Sequence, residues 1–97
     1  MDRIKKSDTP LMKQYKRWAK HLLDCNPTYV TDPESIVWYI KGPNWDGCGT
    51  YYRTTVKIYG KELLEKFEHI RSLPDDEAKA EYAELMKAAG VTAADGE

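Results

Sequence analysis

Apolar residues first recur at helical spacing from Leu11 onward: Leu11, Tyr15, Trp18 and Leu22 stand at i, i+4, i+7 and i+11, with Met12, Ala19 and Leu23 widening the stripe. Thr9-Pro10 precedes them, a hydroxyl N-cap followed by the residue whose fixed φ suits the first helical position. Asn26-Pro27 stops the run, because proline restricts the residue before it. The spacing predicts a first helix over residues 9 to 24. It buries that stripe and leaves Lys13, Lys16, Arg17, Lys20 and His21 on a basic solvent face.

The period then changes. Thr31-Asp32-Pro33-Glu34 reads as a polar connector with room for one short helical turn, and Ile36-Val37-Trp38-Tyr39-Ile40 has the β-branched and aromatic content of a strand closed by Lys41-Gly42. Gly42-Pro43-Asn44-Trp45-Asp46-Gly47-Cys48-Gly49 is a loop by its glycines and proline. A second strand is expected over residues 50 to 59, with Tyr52, Thr54, Val56 and Ile58 facing the core and Tyr51, Arg53, Thr55, Lys57 and Tyr59 facing outward.

Helical spacing returns at Leu63, Leu64, Phe67 and Ile70, which predicts a helix from residue 61 to about 72 that ends near Leu73-Pro74. Pro74-Asp75-Asp76-Glu77 opens a third helix, its acids complementing the dipole, with Ala78, Tyr82, Leu85, Met86 and Ala89 as the apolar stripe and Gly90 just past its end. The expected fold is therefore α+β: a small single domain of order α-β-β-α-α, an antiparallel hairpin packed on helices. Residues 1–8 form a basic arm, 9–90 the domain and 91–97 a flexible tail.

Composition narrows the class. Ninety-seven residues suit one domain, and 41% hydrophobic content is too high for a disordered chain even with 32% charged residues. No apolar run is long enough for a membrane span, and the first residues lack the pattern of a secretory leader. Two cysteines are too few for a disulfide framework, so Cys25 and Cys48 are expected as free thiols in the cytoplasm.

Fifteen Lys plus Arg against 16 Asp plus Glu almost cancel, but unevenly along the chain: residues 1–24 carry a net +4, residues 25–60 none and residues 61–97 a net −5. Either the helix faces simply differ in sign, or the surface offers a basic and an acidic docking patch.

On the outer face of the expected hairpin, Tyr39, Lys41, Tyr51, Arg53, Lys57 and Tyr59 interleave rings with cations, the pattern of a protein-docking surface or of a face that stacks unpaired bases. Trp45 is either a lid on the core or a projecting anchor. The glycines around it match neither nucleotide-binding fingerprint. His21, Cys25, Cys48 and His69 include zinc-ligand types, and His21 with Cys25 has chelating i, i+4 spacing. The remaining two have no partner at short spacing, so no metal is expected. Nothing around Cys48 makes it a nucleophile with His69 as base, and Glu62, Glu65 and Glu68 read as a solvated helix edge.

Thr9-Pro10-Leu11-Met12-Lys13-Gln14-Tyr15 resembles the opening of the mismatch-recognition domain of the MutS family. The Gly-Asp-Phe-Tyr-Glu segment that follows there is absent from this chain, so the resemblance transfers no function. The expected function is a small non-enzymatic cytosolic protein-binding module, a regulator, adaptor or inhibitor without a cofactor. It would dock an acidic protein patch through Trp45, Tyr51, Arg53, Lys57 and Tyr59, steered by Lys13, Lys16, Arg17 and Lys20. The alternative is a single-stranded nucleic-acid-binding protein using the basic first helix and the Tyr/Arg/Lys strand face. No membrane contact is expected. Oligomeric state stays open, pairing of hairpin edges across a dimer axis being one route.

Overall fold

A capped start and an apolar stripe produce the first helix as expected, and helices account for every regular element among the described residues. The chain is described by a computed structural model over residues 3–41 and 51–91, without the side chains of residues 51, 52 and 54. The elements are α1 (Pro10–Cys25), α2 (Thr28–Thr31), α3 (Pro33–Lys41), α4 (Tyr51–Val56), α5 (Lys61–Ser72) and α6 (Asp75–Ala88). α1 packs on α2 and α5, α3 on α2, α5 and α6, α5 on α6, and α4 leans on α3 and α5.

The α+β expectation is overturned: neither strand of the hairpin exists among the described residues. Ile36–Ile40 lies in α3, where Ile36, Val37, Tyr39 and Ile40 are buried while Trp38 is 51% exposed. A strand would have put Trp38 on the same face as Ile36 and Ile40. The helix starts because the Asp32 carboxylate accepts the Glu34 amide at 3.1 Å and the Ser35 hydroxyl at 2.8 Å, ahead of a proline at the first helical position. The second expected strand is replaced by α4 and the turn after it. There Val56 is buried, but Ile58, expected in the core, is 73% exposed. Tyr39, expected outward, is buried and shares a hydrogen bond with Thr55 at 2.8 Å that ties α3 to α4.

The core is an aromatic cluster between α1, α5 and α6. Trp18 meets Phe67 edge-on at 5.1 Å and Tyr15 at 5.7 Å, and Tyr82 stands edge-on to Tyr15 at 6.1 Å and to Phe67 at 6.4 Å. Such geometry adds to the burial of each ring. The two phenols are satisfied in sequence. Tyr82 donates to the Val30 carbonyl at 2.8 Å, which leaves Tyr15 to donate to the Tyr82 oxygen at 3.0 Å. Burial raises the pKa of both phenols, so both stay neutral.

Gly60 precedes α5 with φ +149° and offers no side chain to cap it. α1 supplies the cap instead. Gln14 Oε1 accepts the Leu63 amide at 3.0 Å, and Gln14 Nε2 donates to Glu62 at 2.6 Å. A helix start normally satisfied by its own flanking residue is thus satisfied across a packing interface. At the far end of the bundle, Lys41 donates to the Leu73 carbonyl and to Asp75 at 2.8 Å, pinning the α5–α6 turn to α3.

Lys16 departs from the expected basic face. It is 3% exposed, and its ammonium binds Asp8 at 2.8 Å and the Arg3 carbonyl at 3.0 Å, folding the residues before α1 onto that helix. A charge this deep needs its partners. The hydrogen bond from Lys16, followed by that from the Lys5 amide, holds the Asp8 carboxyl below its usual pKa. Glu62, Asp75 and Glu81 are lowered in the same direction by Gln14, Lys41 and Lys66. A lowered folded-state value means the unfolded chain protonates first, so this contribution is complete above about pH 6 and is lost progressively as the pH falls through the carboxylate range. The thermal midpoint is expected to be level near neutrality and to drop on acidification. In Asp8→Asn it should start lower and drop less, and a calorimetric acid limb identical to that of the native chain would show that the pair contributes nothing.

Candidate functional site

The ends of α1 and α2 diverge from α4 and leave a cleft of about 390 Å³ between them. α1 contributes Trp18, His21, Leu22 and Cys25 to one wall, at the i, i+3, i+4, i+7 spacing that keeps them on one face. Tyr29 of α2 and Tyr39 of α3 form the back, their rings 4.9 Å apart and tilted by 32°. Thr55 of α4, with Ile58 and Tyr59 from the turn after it, forms the opposite wall. The Tyr59 amide closes that turn onto the Val56 carbonyl at 3.0 Å, and the turn holds Ile58 at the rim.

The cleft is chemically mild. No Asp, Glu, Lys or Arg occurs among its described lining residues. Its polar groups are hydroxyls, the Asn26 amide, the His21 imidazole and the Cys25 thiol, and that thiol donates to the His21 carbonyl at 3.2 Å. This is the usual back-bond of a helical side chain to the preceding turn. No cluster of three or more metal-ligating side chains occurs among the described residues. Aromatic and aliphatic walls with a few neutral polar groups suit the burial of an apolar side chain, and the volume lies within the ordinary range of about 300–1,000 Å³ for binding pockets.

Of the residues singled out by sequence, Tyr39 and Tyr59 belong to the cleft, as do His21 and Cys25. Lys13, Arg17 and Lys20 lie along the solvent side of α1, where Arg17 and Lys20 are exposed and neither forms an ion pair among the described residues. Lys16 is withdrawn from them by Asp8. Arg53 is half-exposed and pairs with Glu68 of α5 at 3.0 Å, while Lys57 is exposed. Trp45 and Cys48 lie outside the described residues, as does the side chain of Tyr51. The flat face expected to unite these groups is therefore replaced by a cleft on one side and separate cations on others.

Sequence reasoning missed Ile58, Tyr29 and Asn26 as site residues. Ile58 was assigned to the core by a period of two that the chain does not have there. Tyr29 sits in α2, in a stretch whose prolines, Pro27 and Pro33, stand at two helix starts that read as a connector. A second cluster lies between α5 and α6, where Lys66 pairs with Glu81 and the His69 imidazole is 4.0 Å from the same carboxylate. Among the described residues no helix is long and apolar enough to cross a membrane. No family model matches the sequence, and no curated protein and no solved structure matches it.

Proposed function

We propose that this chain is a non-enzymatic protein-binding module that receives an apolar side chain of its partner in the tyrosine-walled cleft. The observation that carries the reading is Ile58, 73% exposed at the rim of a cleft with no charged residue in its described lining. An aliphatic side chain so exposed gains from being covered, and tyrosine walls provide contact area at low cost in conformational entropy. Arg17 and Lys20 emerge from the same helix as the Trp18–Cys25 wall, so they favour a partner segment with acids flanking its apolar anchor. We place this function in the cytoplasm, where an exposed thiol such as Cys25 stays reduced.

The nucleic-acid alternative draws less support. Lys13, Arg17 and Lys20 remain along α1, but the strand face that was to continue them is absent from the described residues, and Lys16, Lys41 and Arg53 are each engaged by a carboxylate. The test compares the native chain with Ile58→Asp in affinity capture, alongside fluorescence anisotropy with labelled single-stranded RNA and DNA at about 50 and about 200 mM salt. The variant is expected to lose the captured partner by roughly tenfold or more while its stability moves by less than about 0.5 kcal/mol. Oligonucleotide binding with a steep salt slope, unaffected by Ile58→Asp, would instead establish the alternative.

A further inference from the structure

Trp38 is the largest side chain left open on the described surface at 51% exposure, and it stands away from the cleft on the other side of α3. It borders a shallow depression of about 280 Å³ between α3 and α6, floored by Val37. Charges of both signs surround it: Glu34 and Lys41 on α3, Asp75 and Lys79 on α6. Lys41, the last residue of α3, binds Asp75, the first of α6, so the two packed helices run antiparallel and the charges form an ordered pattern. Glu34 lies one turn before Trp38 and Lys41 one turn after it, while Asp75 and Lys79 lie one turn apart along α6 in the opposite sense.

That pattern is its own complement. We infer that the Trp38 face of α3 and α6 is a contact surface for a second copy of this chain. A two-fold axis across Trp38, perpendicular to α3, stacks the two indoles. It sets Glu34 of each copy against Lys41 of the other, and Asp75 against Lys79. An isologous contact demands this reciprocity, since the same patch serves both sides. The face is neutral in sum, so two copies approach without repulsion, unlike two copies of the basic α1 face. The Lys41 ammonium has three protons and gives two to Leu73 and Asp75, which leaves one for the second copy. This surface does not involve the cleft, and the inference stands whether or not the cleft binds a partner.

Sedimentation equilibrium of the full chain is the test. The weight-average mass should climb from that of one chain toward that of two over roughly a hundredfold range of concentration. Trp38→Ala should weaken association by roughly tenfold or more, as loss of a central aromatic anchor does. Glu34→Lys replaces an exposed side chain and keeps the fold, but it opposes two lysines twice in each dimer. It should weaken association by a similar factor, more strongly at low salt. A constant mass of one chain at every concentration overturns the inference, and so does native association that either variant leaves intact. Circular dichroism confirms that both variants keep their helix content before the comparison is made.

Discussion

Trp18→Ala lowers stability by about 3–5 kcal/mol, the range found for truncating a buried aromatic ring. The indole is 2% exposed and stands edge-on to Phe67 at 5.1 Å. Its removal forfeits the buried area together with the ring contacts to Phe67 and Tyr15. A chain of this size loses about 4–8 °C in Tm for each kcal/mol, so a fall of about 12 °C or more is expected in calorimetry. Trp18 also walls the cleft, and the variant should therefore lose partner binding along with stability, whereas Ile58→Asp loses binding alone. A fall under about 1 kcal/mol would mean that the α1–α5 packing is not the centre of the fold.

Gly60→Ala is expected to cost about 2–4 kcal/mol for two linked reasons. The backbone sits at φ +149°, where a Cβ is strained in any setting, and that Cβ would fall 2.0 Å from Gln14 Cδ. Gln14 can swing away, since the clash involves the end of a flexible chain. Doing so abandons the Leu63 amide and Glu62, and with them the only cap α5 has among the described residues. Gln14→Ala alone should cost about 1 kcal/mol, the usual loss of a helix cap. In Gly60→Ala with Gln14→Ala the clash is gone and the cap is lost only once, so the double variant is less damaged than the sum of the single ones. Urea denaturation of all four chains measures this coupling. Strict additivity would show that backbone strain at Gly60 accounts for the whole effect and the trans cap for none.

Three helices were legible because each carried a stripe of several turns and a start or stop signal. Thr9-Pro10 and Asn26-Pro27 bracket α1 to within a residue of Pro10–Cys25, and Pro74 with its acids opens α6. α3 was misread because five consecutive apolar residues contain too little polar contrast to separate a period of two from one of 3.6. Asp32-Pro33-Glu34 ahead of it held the answer, an N-cap, a first-turn proline and an acid in the first turn, with Lys41 in the last. α4 had no such signal. Tyr-Tyr-Arg-Thr-Thr-Val favours a strand intrinsically, and the helix rests on tertiary contacts, buried Val56 and the Tyr39–Thr55 bond, that no local window contains.

The site fared worse for the same reason. A misassigned period exchanges inside and outside, which sent Ile58 to the core and Tyr39 to the surface. Lys16 shows a second limit. Its charge marked it as solvent-facing, although it stands one turn from Met12 and from Ala19 at the edge of the apolar stripe, and Asp8 with the Arg3 carbonyl, folded back from before the helix, makes that burial tolerable. Lys13, Arg17 and Lys20 have no such partner among the described residues, so for them the polar pattern gave the correct side.

The bond between the Tyr15 and Tyr82 hydroxyls joins residues 67 positions apart, which sets a schedule for the chain as it is made. Translation at about 5–20 residues per second leaves Tyr15 waiting about 3–13 s for its acceptor. Through that interval α1 has its amphipathic face but no closed aromatic core to bury it in. The growing polypeptide must keep Trp18 and its neighbours from straying until α6 arrives, and the aromatic core is sealed only then.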